Sequence, residues 1–64
     1  MKINGKMYDD KSDMTLAELL AELKYRRDRV AVERNGVIVP KSKFDELIVE
    51  KEDVLEVVSF VGGG

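Results

Sequence analysis

The stretch MTLAELLAELKYRRD (residues 14–28) is the one segment of this chain with clear helical periodicity, and the fold turns on it. Leu16, Leu19, Leu20 and Leu23 recur at i, i+3, i+4 and i+7, which lines one face of a helix with leucine. Thr15 stands where an N-cap is needed. Glu18 follows three residues later, so the two side chains can each serve a free N–H of the first turn as a capping box. Met14 and Leu19 then occupy the two positions of a hydrophobic staple. A helix running through the whole stretch would pair Glu22 with Arg26 at i,i+4. It would also gather Lys24, Arg26, Arg27 and Arg29 at its C-terminus, where the macrodipole is negative. The functional alternative for those cations is a patch that docks an acidic surface.

The flanks read as strands. Ile3 and Met7 bracket Asn4-Gly5, and Val30–Arg34 and Val37–Val39 bracket Asn35-Gly36; Asn-Gly is the strongest short hairpin signal. Pro40 stops the second hairpin, because proline cannot donate to a ladder. The connector KSKFDEL (residues 41–47) is polar with one apolar anchor, Phe44, and reads as a short helical turn. Glu50 to Asp53 form a charged turn before VLEVVSFV (residues 54–61), the most β-prone run in the chain. Alternation places Leu55, Val57, Ser59 and Val61 on one side of that strand and Val54, Glu56, Val58 and Phe60 on the other. Neither side is purely polar, as expected of a central strand or of one with an adhesive outer face. The order β-β-α-β-β-β around one amphipathic helix predicts an α+β fold of two layers. Its arrangement is β-grasp-like, with the last strand in the middle of the sheet beside the first.

Composition narrows the chemistry. The 64 residues imply one domain and contain neither cysteine nor histidine. That removes disulfides, thiolate nucleophiles, the usual neutral-pH base and the commonest metal ligands. Ser12, Ser42 and Ser59 therefore have no histidine to activate them. The acidic clusters Asp9-Asp10 and Glu50/Glu52/Asp53 read as solvated turn residues, and their spacing is not that of a calcium loop. The net charge of −2 argues against nucleic acid, and no apolar run approaches a membrane span or a signal peptide. The chain reads as a soluble, intracellular domain that binds no metal.

The chain closes with SFVGGG (residues 59–64). No helix follows the glycines, so they do not form a phosphate cradle. The α-carboxylate of Gly64 is left as the one reactive group, and it needs activation, for instance by adenylation. Three extended residues reach about 10 Å, and without β-carbons they fit a narrow channel. Composition leaves two readings open: a frayed terminus, or a terminus handled by a partner enzyme.

Three stretches in order, TLAELL (residues 15–20), VAVERNGVIVPKS (residues 30–42) and EDVLEVVSFVGGG (residues 52–64), make the chain resemble the ThiS family of sulfur carriers in thiamine thiazole synthesis. The resemblance covers nearly the whole chain and is weakest over the first fourteen residues. It implies a ubiquitin-like β-grasp over residues 1–64, a mixed sheet packed on the helix, with residues 61–64 as a flexible reactive tail. Leu55 and Val57 would then face the helix above Leu19, Leu20 and Leu23, while Val58 and Phe60 would face outward to dock partners. It further implies a cytoplasmic carrier that is not itself an enzyme. Gly64 would bear the sulfur as a thiocarboxylate, and Gly62 and Gly63 would thread the partner's channel. The implied partners are a ThiF-type adenylating enzyme, a ThiG-type thiazole synthase and a sulfur donor protein. ATP and magnesium would belong to the adenylating enzyme, with no cofactor on the carrier. The alternatives are a carrier for molybdopterin synthesis, a ubiquitin-like protein modifier, and a β-grasp interaction domain with an inert tail.

Overall fold

The computed structural model describes residues 1–60, and expectations that fall on residues 61–64 lie outside the described residues. Helix α1 spans Leu16–Glu22 and starts as its sequence requires. The Glu18 amide donates to Thr15 Oγ1 at 3.0 Å, and the Thr15 amide donates to Glu18 Oε1 at 2.8 Å, closing the capping box. The next two free donors of the first turn are also met, Leu16 N–H by the Leu47 carbonyl (2.8 Å) and Ala17 N–H by that of Phe44 (2.9 Å). The connector thus holds the helix N-terminus in place. Phe44 is the anchor it pins down, fully buried after the 3₁₀ turn Lys41–Lys43.

The helix is shorter than its periodicity predicts. Lys24 takes φ +68°, its amide donates to Ala21 O, and the Tyr25 amide donates to Leu20 O. That pair of bonds is a Schellman stop, which usually carries glycine at the position Lys24 fills. Tyr25 and Leu23 are thereby turned back against the core, each half-buried. Glu22 consequently pairs with Lys11 at 2.8 Å and not with Arg26. Arg27 and Arg29 fall in a separate 3₁₀ turn, Arg27–Arg29, so they do not complement the dipole of α1. Arg27 instead grips Asp45 with two bonds of 2.8 and 2.9 Å.

Strands β1 (Lys2–Ile3), β2 (Lys6–Met7), β3 (Val30–Arg34), β4 (Val37–Ile38) and β5 (Val54–Ser59) form one sheet in the order β2-β1-β5-β3-β4. The pairing of β1 with β5 is parallel and the rest is antiparallel. This is the β-grasp arrangement, with the last strand central. Its inner face meets α1 around Ile3, Leu16, Leu19, Leu20, Val32, Leu55 and Val57.

Both hairpins use their Asn-Gly turns twice. Asn4 and Asn35 have φ of 51° and 52°, and Gly5 and Gly36 of 83° and 85°, the left-handed pairs of a two-residue hairpin turn. Each asparagine side chain also reaches β5. Asn4 Oδ1 accepts from Val57 N at 2.7 Å while its Nδ2 donates to Val57 O at 3.1 Å. Asn35 Oδ1 accepts from Val54 N at 2.9 Å. The turns therefore extend the ladders that fix β5 at the centre. Asn35→Ala removes this bond and a second one, from Asn35 Nδ2 to Asp53 Oδ1 (3.2 Å), and places a β-carbon residue without local compensation at positive φ, an expected cost of about 3 kcal/mol. Asn35→Gly removes both bonds but not the freedom at φ, and should cost less, about 2 kcal/mol in urea unfolding.

Candidate docking face and its relatives

Strand β5 alternates as its sequence predicts. Leu55 and Val57 are buried against the core, whereas Val54, Val58 and Phe60 are exposed on the opposite face. Val58 is 60% and Phe60 51% exposed, values a covering loop would not permit. Phe60 lies just past the end of β5, and its amide donates to the Arg29 carbonyl at 2.7 Å, so its backbone is still held to the neighbouring chain. The Lys41 ammonium stands 5.7 Å from the centre of its ring.

The register shows what shares that face. Ala31 lies opposite Val58, Glu33 opposite Glu56, and Ile38 opposite Glu33 on the far side. Lys2 lies opposite Val54 and Met7 opposite Lys2. Of the expected docking residues, Val58 and Phe60 are therefore brought together at the end of β5 that leads to the tail. Ala31, Glu33 and Ile38 join them. Pairing alone reveals these three, because single-strand alternation cannot say which residue of another strand sits alongside. Gly62, Gly63 and Gly64 lie outside the described residues.

One turn residue departs from expectation. Glu50 and Glu52 are exposed, but Asp53, at the entry to β5, is 5% exposed. Its Oδ2 accepts from Arg34 Nε at 2.9 Å and from the Glu50 amide at 2.8 Å, and its Oδ1 accepts from Asn35 Nδ2 at 3.2 Å. Burial pushes the Asp53 carboxyl up, but the Glu50 amide, Arg34 and Asn35 together outweigh it and hold it below the usual carboxylate range. Turn composition reads Asp53 as solvated because its partners come from another hairpin. The network is structural: it ties the entry of β5 to the second hairpin. Among the described residues no group of carboxylates is arranged to hold a metal ion, and no helix is long and apolar enough to cross a membrane.

Comparison with known proteins matches residues 1–64 to the model of the ThiS family. The chain belongs to the ThiS family. It is 40% identical over 65 residues to the sulfur carrier protein ThiS of Bacillus subtilis (strain 168), covering all of this chain and 98% of that one. The crystal structure of the thiamine biosynthesis protein ThiS from Geobacter metallireducens superposes with a TM-score of 0.78 at 35% identity, covering 98% of this chain and 96% of that one. A third relative is much longer. A thiazole synthase of Paramagnetospirillum magneticum is 47% identical over 62 residues, which span 97% of this chain but 19% of the synthase. The ThiS-family fold is therefore the ubiquitin-like β-grasp described above, and its exposed β5 face is the surface to explain.

Proposed function

We propose that this ThiS-family chain is a sulfur carrier for thiamine thiazole synthesis and not a catalyst. The observation that carries the reading is the match of all 64 residues, terminal glycines included, to the ThiS family model. The exposed apolar face of β5 supports it, since such a patch on a small domain marks a protein interaction site. In this reading Val58 and Phe60 seat the carrier on a ThiF-type enzyme, and Gly62 and Gly63 thread the Gly64 carboxylate into that enzyme's site. There a carboxylate oxygen attacks the α-phosphate of ATP, assisted by magnesium. Pyrophosphate leaves and an acyl-adenylate forms. The terminal sulfur of a donor-protein persulfide attacks the carbonyl and AMP departs with the oxygen, giving an acyl disulfide. A thiol reductant then cleaves the S–S bond, leaving the thiocarboxylate on the carrier and a mixed disulfide on the donor. A ThiG-type synthase takes that sulfur for the thiazole ring. The segment similar to this chain within a thiazole synthase supports that last partner.

The test is loading with the cognate adenylating enzyme, ATP, magnesium and a sulfur donor, followed by intact-mass analysis. One oxygen replaced by sulfur at the C-terminus is expected, and a variant lacking Gly63 and Gly64 should acquire none. If the intact chain forms neither adenylate nor thiocarboxylate, the proposal fails. High-molecular-weight adducts in cell extracts that disappear with Gly63 and Gly64 would point to a protein modifier instead.

A further inference from the structure

The middle of the outer sheet face holds an electrostatic anomaly. Glu33 and Glu56 lie directly opposite each other on β3 and β5, the two most extensively paired strands. Like charges at that spacing destabilise a sheet, and a lysine at either position would reverse the effect. Neither carboxylate has a hydrogen bond or ion pair among the described residues. Several other surface carboxylates are met, Glu22 by Lys11, Asp45 by Arg27, Glu46 by Lys43 and Glu50 by Arg34. Among the described residues Asp9, Asp13 and Glu52 are not, but they lie in bends and turns, whereas Glu33 and Glu56 face each other across a sheet. The neighbours of the pair on β3, β4 and β5 are apolar, and Lys2 on β1 stands across from Val54. Val54 and Val58 flank Glu56 along β5, Ala31 precedes Glu33 by two residues on β3, and Ile38, 67% exposed, closes the far side.

These observations deepen the docking role proposed above and rest on it. We infer that Glu33 and Glu56 together receive a cationic side chain, an arginine or lysine set within an apolar patch, from the adenylating enzyme that loads the tail. The reason is desolvation. In water the two carboxylates repel weakly. An apolar surface pressed over Val54, Val58, Ile38 and Phe60 would strip their water, raising both the repulsion and the desolvation cost. A guanidinium between them relieves both, and its planar fork suits two carboxylates better than a point charge does. A partner with an apolar or acidic centre would be rejected, so the pair supplies specificity more than affinity. It also supplies direction. Glu56 precedes Phe60 by four residues, about 13 Å along an extended strand. An aromatic contact at one end and a charge contact at the other therefore fix which way the carrier lies and where its tail points.

The experiment compares the full chain with E33Q/E56Q and E33K/E56K. It reads affinity for the cognate adenylating enzyme by calorimetry at low and high salt, urea stability, and sulfur loading by intact mass. The neutral pair should unfold no earlier than wild type, because a repulsion has been removed. It should bind about tenfold more weakly at low salt and lose most of the salt dependence. The lysine pair should bind more weakly still. If E33Q/E56Q binds with unchanged affinity and salt dependence while the wild-type chain loads sulfur, the inference about the pair is overturned and the carrier reading stands. If the wild-type chain does not load, the carrier reading falls and takes this inference with it.

Discussion

Asp53→Asn is expected to lower the stability of the fold by about 3 kcal/mol, most of what a core of this size supplies. The substitution preserves shape, so packing at the site is unchanged. It alters the hydrogen-bond inventory: all three groups around Asp53 are donors, namely Arg34 Nε, Asn35 Nδ2 and the Glu50 amide. An asparagine side chain must point its own NH₂ at one or more of them, and the Arg34 guanidinium loses its buried anion. Urea unfolding should show the loss as a lower midpoint with an unchanged slope. A midpoint within experimental error of wild type would remove the network from the account of stability.

The same network sets an acid limb. The folded carboxyl of Asp53 lies below its ordinary value of 3.8, so its stabilising contribution is complete above that value. As pH falls below 3.8 and through the depressed folded value, the unfolded chain binds the proton first and the contribution is lost. The wild-type midpoint should therefore drop in that window, and the Asp53→Asn midpoint should drop less.

Phe60→Ala is the second large effect, and it appears in binding, not in folding. The ring is half exposed and outside the core cluster, so its removal should change the urea midpoint little. An aromatic anchor buried at an interface contributes about 2 kcal/mol or more, so affinity for the adenylating enzyme should fall by roughly thirtyfold or more. Val58→Ser, on the same face, should weaken binding to a lesser degree. Ile48→Ala is the control. Ile48 is also an exposed large hydrophobic, but it pairs with Thr15 beside the start of α1, away from the outer sheet face. It should leave binding unchanged. Severe unfolding of Phe60→Ala would place the ring in the core, and equal losses from Phe60→Ala and Ile48→Ala would mean that surface hydrophobicity in general, not this face, holds the partner.

Much of this molecule was legible in its residues because the signals are local. The capping box of Thr15 and Glu18 acts over one turn, and both Asn-Gly turns act over two residues, so each forms as predicted. Alternation along residues 54–60 correctly separates Leu55 and Val57 from Val58 and Phe60. The C-terminal end of the helix was not legible. A Schellman stop normally announces itself with glycine, but here Lys24 takes the left-handed angle, held by backbone bonds and by Leu23 and Tyr25 packing back against the core. Turn composition does not reveal Asp53 for a related reason, since its partners Arg34 and Asn35 arrive from another hairpin.

The residues alone determine a two-layer fold, an amphipathic helix over a sheet, with a last strand that carries apolar residues on both sides. Short-range chemistry suffices for that: period, caps and turns are properties of a few neighbouring residues. Which side chains stand next to each other across the sheet is a property of register, and register depends on how all the strands meet at once. That is why the opposition of Glu33 and Glu56, the company of Ala31 and Ile38 beside Val58, and the burial of Asp53 emerge only from the assembled molecule.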